Sequence, residues 1–133
     1  MLQQEIDNLR QLAKSWNNLD TKFIETILAD DFIYESQWVL VPIVGRKPFL
    51  TYLASKFEAI KTAMQSEPMT ITAELAMHPA IYNRPCIVLS QISSKEITQV
   101  SLLINLQQGK IKQIDVCFIP DPAKANLSGE IPL

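Results

Sequence analysis

No apolar stretch in this chain approaches the roughly 18 residues that a membrane-crossing helix requires, so no membrane span is expected. Basic charge is not in excess either: twelve Lys and Arg stand against fourteen Asp and Glu, for a formal net charge of −2. No window gathers Lys or Arg as a phosphate backbone would demand, so nucleic acid is not an expected partner. Cysteine is scarce. Cys86 and Cys117 lie in apolar, β-like runs without a Cys-x-x-Cys spacing or a companion histidine. That argues for free, buried thiols and against a metal site, and no cofactor or metal is expected. The opening Met-Leu-Gln-Gln-Glu-Ile-Asp has neither the basic nor the apolar region of a secretory signal, and a cytoplasmic location is the expectation.

What is present is ordinary globular material: 133 residues, 47% hydrophobic and 20% charged. A chain of this size forms one domain and buries roughly two-thirds of its unfolded surface without staples. Leu2, Ile6, Leu9, Leu12, Ala13 and Trp16 fall at helical spacing and predict a first helix to Leu19. Asp20 is placed to cap a second helix carrying Phe23, Ile24, Ile27 and Leu28. Asp30-Asp31 reads as a solvated turn after that helix, and Phe32 to Leu40 as a strand. Val39 to Val44, apolar around Pro42, belongs at a sheet edge. Gly45 and Pro48 start a third helix whose apolar stripe is Phe49, Leu50, Leu53, Phe57, Ile60 and Met64, with Lys56 among the residues of its solvated face.

Beyond Pro68 the period changes to two. Met69 to His78, Pro85 to Ile92, Glu96 to Leu106 and Lys110 to Ile119 read as four strands of an antiparallel meander, joined by short hairpin connections. The late strands are apolar at both parities. Three helices cover only one sheet face, so a homodimer through the other face is expected. Residues 1–120 make the domain and 121–133 an irregular tail that drapes over a surface or moves.

This order of elements resembles the nuclear transport factor 2-like superfamily, which includes SnoaL-like cyclases and ketosteroid isomerases. The resemblance rests on Leu19-Asp20, Leu28-Ala29-Asp30-Asp31-Phe32, Val44-Gly45-Arg46-Lys47-Pro48-Phe49 and Gly109-Lys110-Ile111, and covers Ile6 to about Pro120. It implies an α+β cone of the cystatin-like kind: three N-terminal helices packed on a strongly curved antiparallel sheet, with a pocket walled by helix one, the first strand, helix three and the concave sheet face. The isomerase branch places a tyrosine, an aspartate base and a protonated aspartic acid in that pocket. Counting from the shared markers, those roles fall on Leu12, Ser36 and Ser101, which cannot perform them. The hydrogen-bonding tyrosine and tryptophan of a related ketocarotenoid-binding domain fall near Leu12 and Ser101 as well.

The residues expected around a small-molecule ligand are Leu12, Trp16, Tyr34, Ser36, Trp38, Tyr52, Phe57, Ser101 and Asn105. Hydroxyls, amides and rings orient a ligand readily but are poor general bases. His78, Glu35 and Asp115 are the weak catalytic candidates. His78 is expected at a water-facing loop edge, while Glu35 and Asp115 have the parity that points away from the pocket. Arg46 and Arg84 read as solvated charges on turns. The leading reading is a ligand-binding homodimer. The alternatives are an enzyme of the cyclase, isomerase or dehydratase type, and an interaction module with a filled pocket.

Overall fold

The computed structural model describes residues 2–133. The first helix, α1 (Leu2–Asn18), turns Leu9, Leu12, Ala13 and Trp16 inward. It ends as helices with a left-handed residue end. The Asp20 amide donates to the Ser15 carbonyl (3.0 Å) around Leu19, whose φ is 51°. Glycine is usual at such a position, and the burial of the Leu19 side chain offsets the strain.

The second helix of the sequence reading does not form. Asp20 does cap, accepting from the Lys22 amide at 2.9 Å, but the structure it caps is one 3₁₀ turn, Thr21–Phe23. The next strand, β1 (Leu28–Ser36), starts four residues before Phe32 and takes up the chain that helix would have used. Too few residues remain to repay helix nucleation, and Thr21, Ile24, Thr26 and Ile27 are poor helix formers. Asp30 and Asp31 accordingly lie inside a strand, not a turn. Asp30 meets Arg46 at 2.9 Å and Asp31 meets Lys112 at 2.8 Å, so neither Asp30 nor Arg46 is a free turn charge.

The edge strand β2 (Val39–Val44) holds Pro42 where no ladder partner is lost. Gly45 follows with φ 103°, its amide bonded to the Phe32 carbonyl at 2.6 Å. A Cβ there would lie 3.2 Å from the Pro48 ring, so the glycine allows both the turn and the start of α2 (Arg46–Ser66). Then come β3 (Met69–His78), β4 (Arg84–Ser93), β5 (Ile97–Gln107), β6 (Lys110–Cys117) and a short β7 (Asn126–Leu127).

The strands form one sheet in the order β2-β1-β6-β5-β4-β3-β7. It is mixed, not purely antiparallel: β1 pairs parallel with β6, while the other neighbours are antiparallel. Both helices lie on the concave face. Leu9, Leu12, Phe49, Leu53 and Phe57 meet Phe32, Ile87, Leu102, Ile104 and Ile114 there in the main core.

The other face is covered in part by the chain itself. Ala76, Cys86, Val88 and Leu103 are buried beneath Ile81, Cys117 and Ala125. The segment after Asp121 is well tied. It makes a 3₁₀ turn (Pro122–Lys124), adds β7 to the β3 edge, and Ser128 bonds the Leu75 carbonyl at 2.6 Å. Glu130 pairs with Arg10 of α1 at 2.6 Å. Asn17 closes the arrangement by accepting from the Ala73 amide (2.7 Å) and donating to the Ala73 and Pro132 carbonyls (2.9 and 2.7 Å).

Candidate functional site

Between the two helices and the concave face lies a hollow of about 160 Å³. Helix α1 contributes Leu12 and Trp16 to its wall, β1 and the turn after it Tyr34, Ser36 and Trp38, and α2 Phe49, Tyr52, Leu53 and Lys56. The floor comes from alternate residues of four strands: Ile71 on β3, Leu89 and Gln91 on β4, Thr98, Val100 and Leu102 on β5, and Ile114 and Val116 on β6. Alternation along a pleated strand is what brings these residues to one face.

Aromatic rings pair along the wall. The Tyr34 ring stands 5.0 Å from Phe49 and 5.6 Å from Tyr52, and Trp38 stands 5.6 Å from Phe118 at the mouth. Gln37 holds that mouth in shape. Its side-chain oxygen accepts from the Phe118 and Ile119 amides (2.8 and 3.0 Å), and its nitrogen donates to the Ile119 carbonyl at 3.0 Å. Ser36 accepts from the Trp38 amide at 3.2 Å, which turns the chain so that Trp38, 59% exposed, lies at the mouth. Burial, with the neighbouring Tyr52 phenol adding to it, pushes the Tyr34 hydroxyl up from its ordinary pKa. A phenol is a hydrogen-bond donor at physiological pH in any case, and burial moves its ionisation further away.

Leu12, Trp16, Tyr34, Ser36, Trp38 and Tyr52 thus line the hollow, while three expected residues do not. Phe57 stands behind the wall, fully buried with its ring edge-on to Trp16 at 5.0 Å. Ser101 and Asn105 point to the opposite face, because Val100, Leu102 and Ile104 are the β5 residues that turn inward. The Ser101 hydroxyl is buried there without a hydrogen-bond partner among the described residues, and Asn105 accepts from Arg84 at 3.0 Å. Arg84 is not a free turn charge either, since it also donates to the Ile104 carbonyl.

His78 is 1% exposed and does not face water. Its Nδ1 accepts from the Ala80 amide at 3.1 Å, which leaves Nε2–H to donate to the Asp121 carbonyl at 2.8 Å. Glu35 and Asp115 sit side by side on the paired strands β1 and β6, beside Leu103 and Cys117 of the outer face. Gln113 donates to Asp115 at 2.8 Å. No imidazole and no carboxylate reaches the hollow from these candidates.

Lys56 and Gln91 were missed by the sequence reading, although each had a signal. Lys56 follows Tyr52 by one helical turn, and Gln91 shares the parity of Leu89. Of the two thiols, Cys86 is buried and Cys117 half-buried, both free. Burial pushes Cys86 up to about 11. Among the described residues no group of three or more His, Cys, Asp or Glu is placed to hold a metal ion. No helix among them is long and apolar enough to cross a membrane. A second, more open hollow of about 350 Å³ lies between α1, the β3–β4 end and the tail, where the Arg10–Glu130 pair borders it.

No family model matches the sequence, and no curated protein matches it. Solved structures do match. A protein of unknown function from Mesorhizobium loti, described as nuclear transport factor 2-like, superposes with a TM-score of 0.64 at 11% identity, over 87% of this chain and 91% of its own. The chain has the nuclear transport factor 2-like fold. A candidate ketosteroid isomerase from Kribbella flavida shares it, with a TM-score of 0.61 at 14% identity over 86% of this chain and 77% of that one. So does an epoxide hydrolase from M. tuberculosis, with a TM-score of 0.59 at 16% identity over 92% and 89%. At these identities the likeness is one of architecture, and one nuclear transport factor 2-like fold hosts several activities. Of the three positions counted from the isomerase branch, Leu12 and Ser36 lie on the wall of the hollow and Ser101 does not.

Proposed function

We propose that this nuclear transport factor 2-like chain binds a small, mainly apolar molecule in the hollow and does so as a homodimer through the sheet face. The observation that carries the binding reading is the wall itself. It is aromatic and aliphatic, its polar groups are hydroxyl, amide and one ammonium, and it includes neither carboxylate nor imidazole. Size narrows the occupant. The hollow of about 160 Å³ is smaller than the roughly 300 Å³ at which drug-sized pockets begin, and close to the roughly 150 Å³ that admits a benzene ring. A ligand of about one ring fits without rearrangement.

The dimer is supported by the part of the outer face that the tail leaves bare. On that side Leu40 is 97% exposed and borders a groove with Glu35, Gln37 and Pro42. Acid-base catalysis by His78, Glu35 or Asp115 has no support from their placement, and the space that remains counts against a pocket filled by its own side chains.

Both tryptophans of the sequence, Trp16 and Trp38, line the hollow, so intrinsic fluorescence reports directly on occupancy. Native mass spectrometry of protein taken from its source cells is expected to show a retained small molecule and twice the subunit mass. Val100→Phe, which fills the floor, is expected to remove the added mass while the protein stays folded. Ligand-free protein whose tryptophan emission ignores every small ring compound would end the binding reading. A sedimenting monomer at micromolar concentration would end the dimer.

A further inference from the structure

The charge on the wall of the hollow is one-sided. Lys56 is the sole ionisable group of formal charge among the lining residues, and it is exposed, which places its ammonium at the mouth. Among the described residues no carboxylate lies within ion-pairing distance of it. The pairs that form use Arg10, Lys22, Arg46, Lys61, Arg84 and Lys112. Its nearest aromatic partner is Tyr52, one turn back on α2, with the ammonium 5.9 Å from the ring centre. An ammonium without an ion-pair partner among the described residues, set beside low-dielectric walls, adds positive potential at the mouth.

We propose that the ligand class is a monocyclic carboxylic acid, its ring held against Tyr34, Phe49 and Leu102 and its carboxylate at the mouth beside Lys56. This rests on the binding reading above and names the occupant of the same hollow. The volume sets the single ring, and Lys56 sets the sign. An anion at the mouth keeps part of its hydration, so it avoids the large cost of taking a carboxylate into an apolar interior. The aromatic wall would otherwise suit an organic cation through ring-face attraction, but the ammonium of Lys56 repels one. The Tyr34 phenol, neutral at physiological pH as any phenol is and lining the hollow, offers a donor and not a competing negative charge. A phosphate ester is a poorer fit, because the wall supplies one ammonium and no guanidinium fork.

Tryptophan-fluorescence titration of the full chain with benzoate, benzyl alcohol and benzylamine tests this. Benzoate is expected to bind up to about fivefold more tightly than benzyl alcohol at low salt, the factor that one exposed ion pair supplies, and benzylamine most weakly. The preference should shrink in high salt, vanish in Lys56→Gln and persist in Lys56→Arg. Equal binding of benzoate and benzyl alcohol, or an unchanged preference in Lys56→Gln, would overturn the carboxylate assignment and leave the binding reading standing. Failure of all three compounds to bind would overturn the monocyclic-acid assignment, and the binding reading falls with it if no other small ring compound changes the tryptophan emission.

Discussion

The two faces of this sheet are built from the same strands and have opposite characters. On the concave side, large residues from α1, α2 and five strands meet in a continuous core that stops short of closing and leaves a hollow. On the convex side, small residues such as Ala76, Cys86 and Val88 lie flat under a thin cover of tail, with Ser101 and His78 buried among them. A curved sheet explains the difference: its concave side must be filled by bulky groups or remain empty, whereas its convex side accepts a single layer of chain. The hollow is therefore a consequence of curvature, and the polar groups buried on the other side are structural. His78 shows this, since both its ring nitrogens are engaged, Nδ1 with the turn that follows β3 and Nε2 with the tail at Asp121.

The comparison predicts unequal responses to substitution. The largest belongs to the concave side. Phe57→Ala removes a fully buried ring that supports Trp16, and is expected to cost about 4 kcal/mol in denaturant unfolding and to loosen the hollow. A cost under about 1 kcal/mol would mean that the wall collapses to fill the space.

A smaller effect of opposite sign belongs to the convex side. Ser101 is 0% exposed and its hydroxyl has no partner among the described residues, so Ser101→Ala relieves a desolvated polar group. A gain of about 1 kcal/mol is expected, with ligand binding unchanged. A loss of stability would show that the hydroxyl is satisfied.

The smallest effect lies at the surface near the sheet edge. The Lys112 ammonium, 2.8 Å from the Asp31 carboxylate, holds that carboxyl below its ordinary pKa of 3.8. A lowered carboxyl pKa stabilises the folded state above the unfolded value, and that contribution is lost as the pH falls through the folded value. The melting temperature of the wild type should therefore exceed that of Lys112→Met by a small margin at pH 5, and the margin should fade below pH about 3.8. A gap that persists at pH 2 would assign the effect to the lysine stem or to its bond with the Asp31 carbonyl.

Much of the architecture was readable in the chain. Period-two alternation marked β3, Pro42 placed β2 at an edge, and Gly45 with Pro48 opened α2. The parity of Tyr34 and Ser36 was also readable, because β1 alternates around them, whereas the strand expected to run to Leu40 ends at Ser36 and Trp38 reaches the mouth through the turn that follows. Strand β5 defeated the same method. With apolar residues at both parities, Leu102 and Leu103 are equally good core candidates, and Ser101 and Asn105 were assigned to the wrong face. The phantom second helix failed for a different reason: Asp20 is a real cap, but β1 claims the residues beyond it.

Local periodicity and turn chemistry, properties of neighbouring residues, determined where α1, α2 and most of the strands lie and which β1 side chains share a face. Pairing between distant segments decided the rest. The parallel union of β1 with β6, the register that turns Val100 inward in place of Ser101, and the tail that buries His78 depend on residues far apart in sequence. Contacts of that kind are selected by the energy of the whole packed sheet, and no short window of sequence carries that information.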